Sequence, residues 1–194
     1  MGLEKNRYPV QNLPIGSIGG LYGSISSGKS QLAKLFAEEA VQKGFNTLLW
    51  SATYLNSLRE LSSEIGEHTP ELVVIDDFNR FHNGTLKKAR KTFLILESIA
   101  KSNNCAILFT DTIILSGLAY EDWLMSNSKL FCQDENYLEW CAMFMNWQTI
   151  LNPSEDLKSM KLSWVKSIDK TRPSDLRLVW SETGMLARSP LGLI

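Results

Sequence analysis

Leu21–Phe36 reads LYGSISSGKSQLAKLF, and the interpretation of the whole chain turns on it. Gly23, four intervening residues and then Gly28-Lys29-Ser30 fit the pattern GxxxxGK[ST] in full. The flanks agree with the motif. IGGLYG, Ile18 to Gly23, is a short apolar strand, and SQLAKLFAEEAVQKG, Ser30 to Gly44, sets Leu32, Leu35, Phe36 and Val41 near one face at helical spacing. A glycine-bearing turn between strand and helix lets backbone N–H groups surround a phosphate while the helix N-terminus adds partial positive charge. Gly23, Ser24, Ile25, Ser26, Ser27, Gly28, Lys29, Ser30 and Gln31 are therefore the candidate nucleotide-binding residues. In this pattern the lysine neutralises β/γ-phosphate oxygens and the serine hydroxyl ligates Mg²⁺, so ATP and Mg²⁺ are the expected cofactors.

Such a site needs an acidic group at the end of a neighbouring strand to hold the cation through water. ELVVIDD, Glu71 to Asp77, supplies two. Asp76, first after the apolar run, is the expected metal-side carboxylate together with Ser30, and Asp77 is the runner-up because side chains alternate along a strand. A helix cap or a solvated turn is the other reading of an Asp-Asp pair.

Outward from these two stretches the chain alternates. FNTLLWSA (Phe45 to Ala52) reads as a buried strand, LRELSSEIG (Leu58 to Gly66) as a short amphipathic helix, and GTLKKARKTFLILESIAKSNN (Gly84 to Asn104) as a long helix with Leu86, Phe93, Leu96 and Ile99 inward. CAILFTD (Cys105 to Asp111) is another apolar strand. Strands and helices in turn, with uninterrupted apolar strands, predict an α/β fold whose mostly parallel central sheet is flanked by helices on both faces. Ile113 to Met160 carries a weaker signal, with ILNPSED (Ile150 to Asp156) read as a turn and helix start. KLSWVKSID and LRLVWSE alternate and are joined by KTRPSD, which predicts a C-terminal antiparallel hairpin.

The chain has 194 residues, which suits a single domain spanning 1–194. Hydrophobic residues make up 44% and charged residues 21%, a globular balance, and the formal charge of −1 gives no global attraction to nucleic acid or to an anionic membrane. No apolar run approaches the roughly 18 residues of a spanning helix, and the first residues lack the centre of a signal peptide, so no membrane partner is expected, and the expected location is cytoplasmic, or nuclear in a eukaryote. The three cysteines, Cys105, Cys132 and Cys141, show no CxxC spacing and are read as reduced, mostly buried thiols. His68 and His82 are isolated and read as surface or capping residues.

IGGLYGSISSGKSQLAKLFAEEAVQKGFNTLLW, LVVIDDFNRFHNGTLKKARKTFLILESIAKSNNCAILFTD and KTRPSDLRLVWSETGM together resemble the ATPase core of the RecA/RadA recombinase superfamily, in particular its RadA-like branch. The resemblance implies a RecA-like P-loop NTPase, with Gly23, Gly28, Lys29 and Ser30 in the nucleotide loop, Asp76 on the Mg²⁺ side and Thr110 to Thr112 at the strand that senses the γ-phosphate. It also implies a recombinase or another RecA-fold protein as partner, in a homo- or hetero-oligomer.

The departures are informative. Where the family places a glutamate that orients the attacking water, LLWSATYLNSLRE presents Tyr54, and a tyrosine of pKa about 10 does not take a proton from water at neutral pH. Tyr54 is read either as a lost catalytic base or as an ordinary packed aromatic. Weak or absent ATP hydrolysis is expected, with no catalytic residue assigned. Asp111-Thr112 stands where the family has Asn-Gln.

The segment matching a DNA-contacting loop, IILSGLAYEDWLMSNSK, has Lys129 as its only basic residue, so any single-stranded DNA binding is expected to be weak. Lys87, Lys88, Arg90 and Lys91 form a better basic cluster, either a solvated helix face or a DNA or partner contact. Lys170 and Arg172 in DKTRPSD are either a solvated loop tip or cations that reach nucleotide on a neighbouring subunit, as in RadA-like and KaiC-like relatives. Two functions follow as expectations. One is a RadA-like recombinase paralogue assisting homologous recombination and DNA repair; the other is a KaiC-like nucleotide-dependent regulatory or assembly module without a DNA role.

Overall fold

The computed structural model describes residues 13–52, 57–82, 86–113, 147–153, 159–166, 176–180 and 186–188. In chain order the elements are β1 (Ile18–Gly23), α1 (Lys29–Gln42), β2 (Thr47–Ser51), α2 (Leu58–His68), β3 (Leu72–Asp76), α3 (Asn79–His82), α4 (Leu86–Ser102), β4 (Ala106–Thr112), β5 (Trp147–Pro153), β6 (Ser159–Lys166), β7 (Leu176–Trp180) and β8 (Leu186–Arg188). The strands form one sheet in the order β2-β3-β4-β1-β5-β6-β7-β8. From β2 to β5 every neighbouring pair is parallel, and from β5 to β8 every pair is antiparallel.

The strand order dictates where the helices lie. The chain leaves β1 for the far edge at β2 and then steps back through β3 to β4 beside β1. Right-handed crossovers in opposite directions place their helices on opposite faces. Accordingly α1 covers one face, packing Leu32, Ala33, Phe36, Ala37 and Ala40 on Leu21, Leu72, Val74, Ala106 and Leu108. The other face receives Leu61 and Ile65 of α2 and Ala89, Phe93, Leu96, Ile99 and Ala100 of α4, against Val73, Ile75, Ile107 and Phe109. Odd and even positions of β3 and β4 thus serve different cores, which is why their sequences read as unbroken apolar runs.

Three details correct the sequence readings: β2, read as a buried strand, lies at the edge of the sheet with Leu49 46% exposed and its other residues half-buried, and the other two concern a helix and a loop. Val41 is 57% exposed rather than inward, because the buried stripe of α1 is carried by three alanines beside Leu32 and Phe36, and Val41 lies about 100° around the helix from Ala40. Of Ile150 to Asp156, read as a turn and helix start, Ile150 to Pro153 belong to β5, where Pro153 occupies the last strand position, a place where proline interrupts the ladder least, and 154–156 lie outside the described residues. Phe93, Leu96 and Ile99 are buried as expected, as is Cys105, whereas Cys132 and Cys141 lie outside the described residues. His68 sits exposed in the last turn of α2, 3.4 Å from Glu64. Among the described residues, no helix is long and apolar enough to cross a membrane.

β1 is an interior strand, hydrogen-bonded to β4 on one side and β5 on the other. Its Gly20 is required by packing: a Cβ there would lie 2.5 Å from Cε2 and 2.9 Å from Oη of Tyr22. Tyr22 is fully buried and meets Phe109 edge-on with ring centroids 5.8 Å apart, so its ring has nowhere to retreat. Gly20→Ala is therefore expected to lower the unfolding free energy by about 2 kcal/mol in urea denaturation, and a smaller partner in Gly20→Ala/Tyr22→Leu to recover part of the loss.

Candidate functional site: the rim at the ends of the parallel strands

Because β1, β3 and β4 run parallel, their C-terminal ends share one rim, the place where ligands of open α/β sheets bind. β1 ends at Gly23 beside Thr112 of β4, and Ile113 N–H donates to Gly23 O at 3.1 Å. The chain then turns through Ser24–Gly28 into α1. Two positive φ values make the turn: Ser26, exposed at the tip, at 58°, and Gly28 at 87° as the residue preceding α1. The glycine adopts this conformation without the cost of about 1–2 kcal/mol that a Cβ would add. Gly28 O then accepts from Leu32 N–H at 2.9 Å and starts the helix.

Lys29 opens α1 yet is only 7% exposed. Its ammonium donates to Ser24 O at 2.6 Å, curling back under the loop. Burial holds its pKa down at about 8 against an ordinary 10.5, while the carboxylates of Asp111, Asp77 and Asp76 pull it partly back. Ser27 is also buried, and its Oγ has no hydrogen-bond partner among the described residues. A buried cation with one acceptor among the described residues, beside a buried hydroxyl without a partner among them, suits an anionic, oxygen-rich ligand.

The acidic side is built from β3 and β4. Ser30 Oγ donates to Asp76 Oδ1 at 2.9 Å, and Thr110 Oγ1 donates to the same oxygen at 2.5 Å. Asp76 shares strand parity with Leu72 and Val74, which face α1, and this parity carries it to Ser30. Asp77 departs: its φ is 60°, its N–H donates to Thr110 Oγ1 at 3.0 Å, and its carboxylate lies 4.0 Å from Arg80. Burial, then the Asp76 charge, push the Asp77 pKa up, against the pull of Arg80 and Lys29. Asp111 is 1% exposed and accepts Thr112 N–H at 2.9 Å. A serine hydroxyl that donates its hydrogen bond to a carboxylate keeps lone pairs for a hard cation, so Ser30 and Asp76 are the residues able to hold one. Among the described residues no cluster of three or more His, Cys, Asp or Glu side chains forms a metal cage.

Beneath the rim lies an aromatic floor. Phe78, directly after the two aspartates, stacks on Phe109 at 4.5 Å and Phe93 at 5.2 Å between centroids, anchoring the turn that leaves β3. Lys87, Lys88, Arg90 and Lys91 are exposed on the first turns of α4, and no ion pair joins them to another described residue. The topology puts these turns at the same rim as the loop but on the opposite face from α1. Tyr54, Lys170, Arg172 and Lys129 lie outside the described residues.

Neither the hydrogen bonds of Thr110 to Asp76 and Asp77 nor the burial of Asp111 is legible in the sequence. The strand parity of Ala106, Leu108 and Thr110 could have placed Thr110 toward α1, but its register against Asp76 is a tertiary fact. Comparison with protein-family models and with curated proteins returns no match.

The folded chain releases the Lys29 proton near pH 8 and the unfolded chain near 10.5, so stability climbs as pH rises through that window and the full penalty acts below it. Lys29→Met should raise the unfolding free energy at pH 7 by about 2 kcal/mol and flatten its dependence between these pH values, as read by urea denaturation across pH.

Proposed function

We propose that this chain is a RadA-like recombinase paralogue: a RecA-like P-loop NTPase core that binds ATP with Mg²⁺, hydrolyses it weakly or not at all, and assists homologous recombination and DNA repair beside a recombinase or other RecA-fold partner. The observation that carries the reading is the junction of β1 and α1, where Lys29 is buried beside the Gly23–Gly28 turn and the Ser30 hydroxyl donates a hydrogen bond to Asp76. The antiparallel pairing of β6 with β7 is in keeping with the C-terminal hairpin of such a core. Fold alone does not fix function, so the loop and the carboxylate bear the weight.

Within this reading the backbone amides of Ser24–Gly28 hold the phosphates, Lys29 exchanges its bond to Ser24 O for phosphoryl oxygens, and Ser30 with Asp76 seats the cation. Bound Mg²⁺ neutralises charge on the β/γ oxygens. Tyr54 stands where a base is needed and has no tendency to accept a proton at neutral pH, so the site retains triphosphate rather than turning it over. Lys170 and Arg172 are assigned to nucleotide on a neighbouring subunit, and Lys87, Lys88, Arg90 and Lys91 to weak contact with single-stranded DNA or a partner. One observation favours the KaiC-like regulatory alternative: the stretch Ile113–Lys129 has one basic residue against Glu121 and Asp122.

Calorimetry with Mg-ATP should register binding that Lys29→Ala removes; no heat from the wild type rejects the reading. Phosphate release should stay near background and rise in Tyr54→Glu, whereas brisk wild-type turnover contradicts the assignment of Tyr54. Single-stranded DNA retention should be measurable at low salt, fall at moderate salt and weaken on charge reversal at Lys87, Lys88, Arg90 and Lys91. Retention in neither condition, with ATP or without, selects the regulatory alternative.

A further inference from the structure

We propose that Thr110 is the positioning residue of the cation side of this site, its hydroxyl orienting the Asp76 carboxylate toward a divalent cation held with Ser30. The proposal rests on the nucleotide-binding reading above and deepens it. The direction of each proton follows from chemistry. The Asp77 N–H can only donate, so Thr110 Oγ1 accepts it at 3.0 Å. The single hydroxyl hydrogen of Thr110 is then donated to Asp76 Oδ1 at 2.5 Å, an acceptor that the Ser30 hydroxyl also reaches, at 2.9 Å. With Oδ1 receiving both protons, Oδ2 is left without a hydrogen bond from any described residue.

Thr110 also replaces the ladder where it stops. β3 and β4 are in register up to Ile75 and Phe109. One residue later β3 ends, Asp77 takes a φ of 60°, and the two N–H groups freed by the turn, those of Asp77 and Phe78, are both received by Thr110, one at Oγ1 and one at its carbonyl at 2.9 Å. Thr110 is 1% exposed, so water cannot readily take over the hydroxyl's part. The residue holds both the rotamer of Asp76 and the backbone that carries it. Partners of this kind typically govern metal affinity without touching the metal.

The test is calorimetry on the full chain with two probes, ATP in excess Mg²⁺ and ATP in EDTA, which separates the cation-dependent gain in affinity from phosphate binding. Thr110→Val, nearly isosteric, is expected to lose about tenfold of the Mg²⁺-dependent gain while its metal-free affinity stays within about twofold of wild type, and Thr110→Ser is expected to keep the gain. Thr110→Val that keeps the full gain, or that weakens both probes in equal proportion, overturns the inference. If circular dichroism shows Thr110→Val unfolded, Thr110→Ser decides: retention of the gain supports the role and a tenfold loss refutes it. A wild type that binds ATP in both conditions with no Mg²⁺ gain defeats the inference while leaving phosphate binding intact; a wild type that binds in neither defeats the nucleotide reading itself.

Discussion

Asp76 Oδ1 accepts protons from Ser30 and Thr110, and the geometry of the rim depends on that one atom. It joins the N-terminus of α1, the end of β3 and the end of β4, three places separated by long stretches of sequence. The junction exists because the strands are parallel, which gathers their C-terminal ends, and because Asp76 and Thr110 share the strand parity that faces α1. A shift of one residue in register would turn both side chains to the opposite face and leave Ser30 without its acceptor.

The same rim concentrates charge out of solvent. Lys29 is buried, and the carboxylates of Asp111, Asp77 and Asp76 only partly offset the loss of its hydration. A cation held this way works against the stability of the ligand-free fold and in favour of any polyanion that can replace the Ser24 carbonyl. The Ser27 hydroxyl, without a partner among the described residues, points the same way, since a buried polar atom without a partner is uncommon in a finished core. Opposing this cost, the aromatic contacts of Phe78, Phe93 and Phe109 brace the rim from the α4 side.

In the proposed reading, binding a nucleotide and using it are separate properties. The residues that would grip phosphate and cation sit on α1, β3 and β4, elements fixed by two packed cores. Those that the proposal gives to turnover, coupling to a neighbour or contact with DNA are Tyr54, Lys170 and Arg172, and the exposed basic turns of α4. The first group is set by the packing of the sheet; the second is what distinguishes one member of an α/β class from another.

The sequence by itself determined the alternation of elements, because helix periodicity, apolar strand runs and the glycine–lysine–serine spacing are local properties of neighbouring residues. It also singled out Asp76, since strand parity is local too. It misplaced Val41 and the second half of β5, where alanines took the inward stripe and where a proline proved compatible with a strand end. Only the tertiary structure decided that β1 lies between β4 and β5, that Lys29 is buried within electrostatic reach of three carboxylates, and that Thr110 rather than the backbone ladder receives the turn after β3. These depend on register between strands far apart in the chain, and register is set by the sum of packing on both faces of the sheet, not by any single stretch of residues.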